Sequence, residues 1–143
     1  MQSIDNTIVL EAQKWLGTPF HQQGRQINAG CDCIGLIIGI AKSINSLSIT
    51  GDSWDECDKN SYDCMADSSL LIDLLPKHFN VVKGPFDVGD ILVIEIVEKQ
   101  YHVCIVTKIS PVKVIHSCSA IGKVIEHKII PQWLNNIKMI LRF

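Results

Sequence analysis

The chain has 143 residues, 47% of them hydrophobic, with a formal net charge of −2 and a pI near 6.2. That length and hydrophobic content suit one domain, residues 1–143, built on a real core. The charge balance leaves no electrostatic footprint for nucleic acid, no block of like charges marks an interaction tail, and no apolar run is long enough for membrane insertion.

The first element is read over Asp5–Leu16. Ile8, Ala12, Trp15 and Leu16 fall at i, i+4, i+7 and i+8, one face of an amphipathic helix. Gly17 and Pro19 end it. A polar loop follows from Thr18 to Ala29. Binding residues concentrate on loops held by a rigid scaffold, and Phe20 and His21 are the residues here expected to reach a site. Arg25 has two readings, a forked pair to a substrate carboxylate or a solvated side chain.

The pivotal stretch is Gly30-Cys31-Asp32-Cys33-Ile34-Gly35-Leu36. Asp32 is a good N-cap, because its carboxylate can accept from backbone N–H groups of the first turn. Cys33 then takes the first helical position. The partial positive charge of a helix N-terminus favours the thiolate there, and the thiolate is the nucleophile of covalent catalysis. The other reading of Cys33 is a small buried hydrophobe. The helix extends to about Ile44. Gly35 and Gly39 share one of its faces, and each costs roughly 1 kcal/mol relative to alanine. Another backbone, expected to be a sheet, should therefore pass close to that face.

Asn45 to Ser69 reads as a long polar connection with Trp54, Cys57, Tyr62 and Cys64 interspersed. Trp54 either lines a cleft or pins the loop to the core. Cys57 and Cys64 are too far apart for a zinc knuckle. A further helix puts Leu70, Leu71, Leu74, Leu75 and His78 on one face, with Pro76 fraying its end.

From Phe79 the pattern changes to period two with β-branched residues. Strands are expected at Asn80–Val82, Asp90–Val97, Tyr101–Lys108, Lys113–Ser117, Lys123–Lys128 and Ile137–Phe143. Turns fall at Gly84-Pro85 and Gly89-Asp90, and a short helix at Gln132–Asn135. Helices first and strands later give an α+β fold with an antiparallel sheet of five to six strands.

Two strand histidines carry chemistry. A hairpin turn centred near Ile109, with Pro111 at the bend, sets His102 and His116 opposite or nearly opposite each other. Cross-strand neighbours have Cβ atoms roughly 4.5–5.5 Å apart, so one imidazole can hydrogen-bond the other. If the helix bearing Cys33 packs on that face, the set becomes nucleophile, base and orienter. The other reading is two unrelated strand histidines. A zinc site from Cys31, Cys33, His102 and His116 is disfavoured, because the Cys-x-Cys spacer is one residue short and no second close pair exists. No metal and no cofactor are expected. Met1-Gln2-Ser3-Ile4-Asp5 lacks the basic start and apolar region of a signal peptide, so synthesis in the cytoplasm with reduced thiols is expected.

The ordered set Trp15-Leu16-Gly17-Thr18-Pro19-Phe20, Gly30-Cys31-Asp32-Cys33-Ile34-Gly35-Leu36, Gly89-Asp90-Ile91-Leu92, Tyr101-His102-Val103 and Val114-Ile115-His116-Ser117 resembles the NlpC/P60 cysteine peptidases, papain-like cell-wall hydrolases. Gly24-Arg25 before the cysteine motif, Trp133 near the end and the final Phe143 are similar to the single-domain branch of phage tails and gene transfer agents. The resemblance implies a papain-like α+β fold over nearly the whole chain. It implies Cys33 as nucleophile, His102 as general base and His116 as the polar residue that orients it, with the Cys33 backbone N–H in the oxyanion hole. The implied reaction is hydrolysis of an amide in the peptidoglycan stem peptide, typically between D-glutamate and a diamino acid. Phe20, His21, Arg25, Asp32 and Trp54 are the substrate-binding candidates. Cys104 stands where many members have Gly or Ala, and its larger side chain is expected to narrow the cleft. The implied partners are the stem peptide and phage-tail or other delivery proteins, with the domain in a virion tail or carried to the wall by a route other than a signal peptide. A wall-binding tail component without activity, and a papain-like amidase or acyltransferase on another substrate, stay open.

Overall fold

A computed structural model describes residues 4–57 and 69–143. Helix α1 (Ile4–Gln13) buries Ile8 and Ala12, and Trp15 follows them into the core from the turn after it. Leu16, read as part of the same face, is instead 42% exposed. The chain tightens to three-residue turns at Lys14–Leu16, so the helical spacing no longer carries position 16 inward. The expected loop then holds a short antiparallel hairpin, β1 (Arg25–Gln26) with β2 (Gly30–Cys31).

Helix α2 (Cys33–Ser43) starts where expected. Asp32 is extended at φ −99 and ψ −172, and its Oδ1 accepts from Gly35 N–H at 2.7 Å. Almost all of α2 is buried, as a helix that is apolar all round requires. Its two glycines do permit close approach, although the sheet is not what comes close. A methyl group at Gly35 would collide with the Gly24 backbone carbonyl, and one at Gly39 with the Trp15 indole.

Helix α3 (Trp54–Cys57) occupies part of the connection read as irregular. Tyr62 and Cys64 lie outside the described residues. Helix α4 (Ser69–Leu74) passes into a 3-10 turn (Leu75–Lys77). Pro76 sits at the start of that turn, where its missing N–H costs little, so it redirects the helix there.

The strands are β3 (Asn80–Val81), β4 (Ile91–Val97), β5 (Gln100–Ile109), β6 (Val112–Cys118), β7 (Lys123–Lys128) and β8 (Ile137–Arg142), with α5 (Pro131–Leu134) between the last two. They form one six-stranded sheet in the order β3-β8-β4-β5-β6-β7, with all neighbours antiparallel. The α+β expectation holds. Arg142 on β8 clamps the buried Asp90 at the start of β4 with two hydrogen bonds of 2.7 and 2.8 Å.

Strand alternation divides the core in two. Ile91, Val93, Val103, Ile105, Ile115 and Leu141 pack with α1 and α2. Leu92, Ile94, Cys104, Val106 and Val114 form a second cluster with Phe86, Ile129, Trp133 and Ile140. Cys104 is fully buried in that second cluster, so it fills core volume and does not narrow a cleft.

The β5–β6 ladder runs from Ile109↔Val112 through a bulge to Ile105↔Ile115, and no pair is recorded beyond it. Extended, that register places His116 across from Cys104. His102 and His116 are therefore diagonal neighbours, two residues from the directly opposed arrangement, because the turn lies nearer Pro111 than Ile109. A diagonal step still lies within reach of long or aromatic side chains.

Replacing Gly35 with alanine should lower the urea midpoint of unfolding, even though alanine gains roughly 1 kcal/mol over glycine in a helix interior. Overpacking against a backbone carbonyl costs about 1–3 kcal/mol, enough to reverse that gain. A midpoint at or above wild type would show that the Gly24 carbonyl does not press on α2.

Candidate active site

The loop before α2 is tied to the helix start by one buried carboxylate. Besides capping Gly35, Asp32 accepts from Gln23 N–H at 2.7 Å and from Arg25 Nη1 at 3.0 Å. Arg25 Nη1 also donates to the Gly24 carbonyl. Arg25 is thus engaged in an internal pair, and this corrects its reading as a clamp for a substrate carboxylate. Asp32 is wholly buried, so it too builds the site from beneath and offers no surface to a substrate.

Phe20 and His21 lie close to the cysteine motif. Phe20 bridges to Cys31, and His21 N–H donates to the Cys31 carbonyl at 3.1 Å. The His21 ring is exposed, with Nδ1 at 3.0 Å from the Gln22 carbonyl. Trp54 is not part of this neighbourhood. It is 5% exposed, stacks on Phe79 and donates to Ser46 Oγ, at the opposite end of α2 from Cys33. Its expected role in substrate binding is replaced by the core-pinning one.

The histidines gather on one face of the sheet. His102 Nε2 lies 2.8 Å from His116 Nδ1, and His116 Nε2 lies 2.7 Å from Nε2 of His127. His127 Nδ1 reaches the Lys128 carbonyl at 2.6 Å. The Trp133 indole, from α5, contacts all three rings at centroid distances of 4.9–5.8 Å. By strand parity these rings share the face of Cys104 and Val114, whereas the body of α2 packs on the other face.

The sequence reading made the triad conditional on the Cys33 helix packing on the imidazole face, and the body of that helix packs on the other face. Cys33 itself is the first residue of α2. Ser117 Oγ, next to His116, donates to the Cys31 carbonyl at 2.7 Å and ties the open end of β6 to the helix start. Cys33 as a residue is 5% exposed. Burial pushes the Cys104 thiol up, and the charge of Cys33 adds to that rise. Burial likewise pushes the Cys31 thiol up to about 11, leaving it an inert neighbour.

Desolvation dominates the imidazoles as well. It lowers His102 to about 4, with the charge of His127 adding to it. It lowers His116 to about 3, with His102 and His127 contributing. Both rings are neutral at pH 7. Among the described residues, no group of three or more His, Cys, Asp or Glu is arranged to hold a metal ion.

No protein-family model matches the chain, and no curated protein matches it. Solved structures do. The NlpC/p60 domain of the peptidoglycan hydrolase SagA matches with a TM-score of 0.62 and 19% identity, over 97% of this chain and 98% of that one. The chain has the NlpC/P60 fold. An NlpC/P60 family protein from Bacillus cereus matches with a TM-score of 0.67 and 18% identity; the alignment covers 99% of this chain and 40% of that one. A third structure, Ly7917, matches with a TM-score of 0.61 at 9% identity, over 99% of this chain and 62% of that one. The NlpC/P60 fold is the papain-like arrangement of helices followed by an antiparallel sheet that the motif order implied.

His127 was not singled out from sequence. The signal was available in the β6–β7 pairing, where His116 faces Ile125 and His127 is two residues on, on the same face.

The depressed imidazoles give a pH signature. Between pH 6.5 and about 4 the unfolded chain takes up protons at positions 102 and 116 that the folded chain does not. The stability contribution of the neutral pair should be complete above pH 6.5 and fall as the pH drops toward 4. Urea midpoints from pH 7.5 to 4 should decline, and less steeply in His116→Asn, which removes one of the two groups. Equal slopes in the two proteins would show that His116 is not held neutral by the fold.

Proposed function

We propose that the chain is a peptidoglycan hydrolase, a cysteine peptidase that cuts an amide of the stem peptide using Cys33, His102 and His116. The observation that carries this reading is the 2.8 Å contact between His102 Nε2 and His116 Nδ1, beside a capped helix N-terminus that bears Cys33. With Nε2 held by His116, His102 has Nδ1 for the sulfur. A base of lowered pKa is neutral and able to accept, so no preformed ion pair is needed.

In the first step His102 Nδ1 takes the Cys33 proton as the sulfur attacks the scissile carbonyl carbon. The Cys33 backbone N–H, at the first position of α2, donates to the oxyanion that develops, aided by the positive end of the helix. The His102 imidazolium then returns its proton to the departing amine, leaving a thioester on Cys33. Water, deprotonated by His102, attacks that thioester. The acyl group leaves as a carboxylic acid and the thiol is restored. His116 keeps the ring from turning throughout.

The bond between D-glutamate and a diamino acid is the proposed target, with Phe20 and His21 bordering the substrate beside Cys31. Residues 1–143 are proposed as one catalytic domain, borne by a phage or prophage tail or a related delivery apparatus. Support for these finer points is the motif order, including Gly24-Arg25 and Trp133.

Purified peptidoglycan incubated with the protein, with fragments identified by mass spectrometry, tests the reading. Wild type should release stem-peptide fragments and Cys33→Ala none. His102→Ala should lose on the order of 10²–10⁴-fold in rate. His116→Ala should lose less than His102→Ala, and His116→Asn less again, because an amide oxygen can still accept from His102. Binding to the wall without any fragment would establish the non-catalytic alternative.

A further inference from the structure

We propose that His127 is a positioning residue that sets which nitrogen of His102 carries the proton, using the Lys128 carbonyl as its fixed reference. The proposal rests on the reading of His102 as the base. It follows from a hydrogen-bond chain with only one consistent polarity for neutral rings.

A backbone carbonyl can only accept, so His127 Nδ1, at 2.6 Å from Lys128 O, carries a proton. With a single proton on that ring, Nε2 of His127 is a bare acceptor. His116 Nε2, 2.7 Å away, must donate to it. His116 Nδ1 is then bare and accepts from His102 Nε2–H at 2.8 Å. His102 Nδ1 is left with its lone pair, the form that can take a proton from a thiol. Three rings and one carbonyl thus fix a tautomer that His116 alone leaves open, since a lone His116 can donate or accept at Nδ1 equally well. The Trp133 indole packs against all three rings. Locking the wrong tautomer is costly in triads of this kind.

The measurement is long-range proton–nitrogen NMR of the histidine side chains at pH 7, which separates protonated from bare ring nitrogens. In wild type, His102 should show a protonated Nε2 and a bare Nδ1. His127→Phe, which keeps an aromatic ring and removes the acceptor, should give a mixture of His102 tautomers. It should lower kcat about tenfold with KM unchanged, by loss of the productive tautomer fraction. His127→Gln, whose amide oxygen can accept from His116 while its NH₂ reaches the carbonyl, should restore both. A bare Nε2 on His102 in wild type overturns the proposal, and so does a His127→Phe protein with unchanged tautomer and rate. The wild-type spectrum needs no folded variant and no turnover. The expected tautomer in a protein that never cleaves peptidoglycan would keep this inference and remove the hydrolase reading. The opposite tautomer in an active protein would do the reverse.

Discussion

The buried carboxylate of Asp32 is the constraint on which the site depends. It accepts from the first turn of α2, from the backbone at Gln23 and from the Arg25 guanidinium. Removing one partner of a buried pair leaves an uncompensated charge, at a cost of about 3–5 kcal/mol. Here that charge also holds three pieces of chain in register. The Gly24 carbonyl is pressed against Gly35, the β1–β2 hairpin is held against the helix start, and Cys33 is fixed at the first helical position. A side chain that reads from sequence as a cap turns out to be the fastener of the whole loop.

Much of this was legible before the fold was known, for definite physical reasons. The period-two run after Phe79 gave all six strands within a residue of their observed ends, because a sheet with two packed faces imposes alternation over many residues. The Asp32 cap and the start of α2 were readable because capping is local chemistry. The β1–β2 hairpin was not, since two-residue strands carry no periodicity. Leu16 misled because helical spacing was extended past the point where the chain tightens. The face of the sheet that α2 covers is a tertiary fact, and no local pattern could show that the imidazoles lie on the other one.

The site has an electrostatic character different from a preformed thiolate–imidazolium pair. His102 and His116 are desolvated and neutral, with only His127 extending the network toward the lysine carbonyl at the sheet edge. In the proposed mechanism charge appears on His102 only as it takes the thiol proton, and the low local polarity makes each hydrogen bond in the chain stronger than it would be in water. The apolar cluster that includes Cys104 and Trp133 lies on the same face of the sheet.

The segment between α1 and the loop has a further consequence. Gly17, Thr18 and Phe20 exchange backbone hydrogen bonds with Gly122 and Val124, and Pro19 bridges to Lys123. This covers the start of β7, an outer strand of the sheet. The opposite outer strand, β3, has only two residues. Unpaired strand edges invite pairing with a second chain, and such edges are blunted by covering them, shortening them or charging them. All three devices occur here, the last as Glu126 and Lys128 along the remainder of β7. The sheet is thereby protected against lateral growth into a polymer of its own copies.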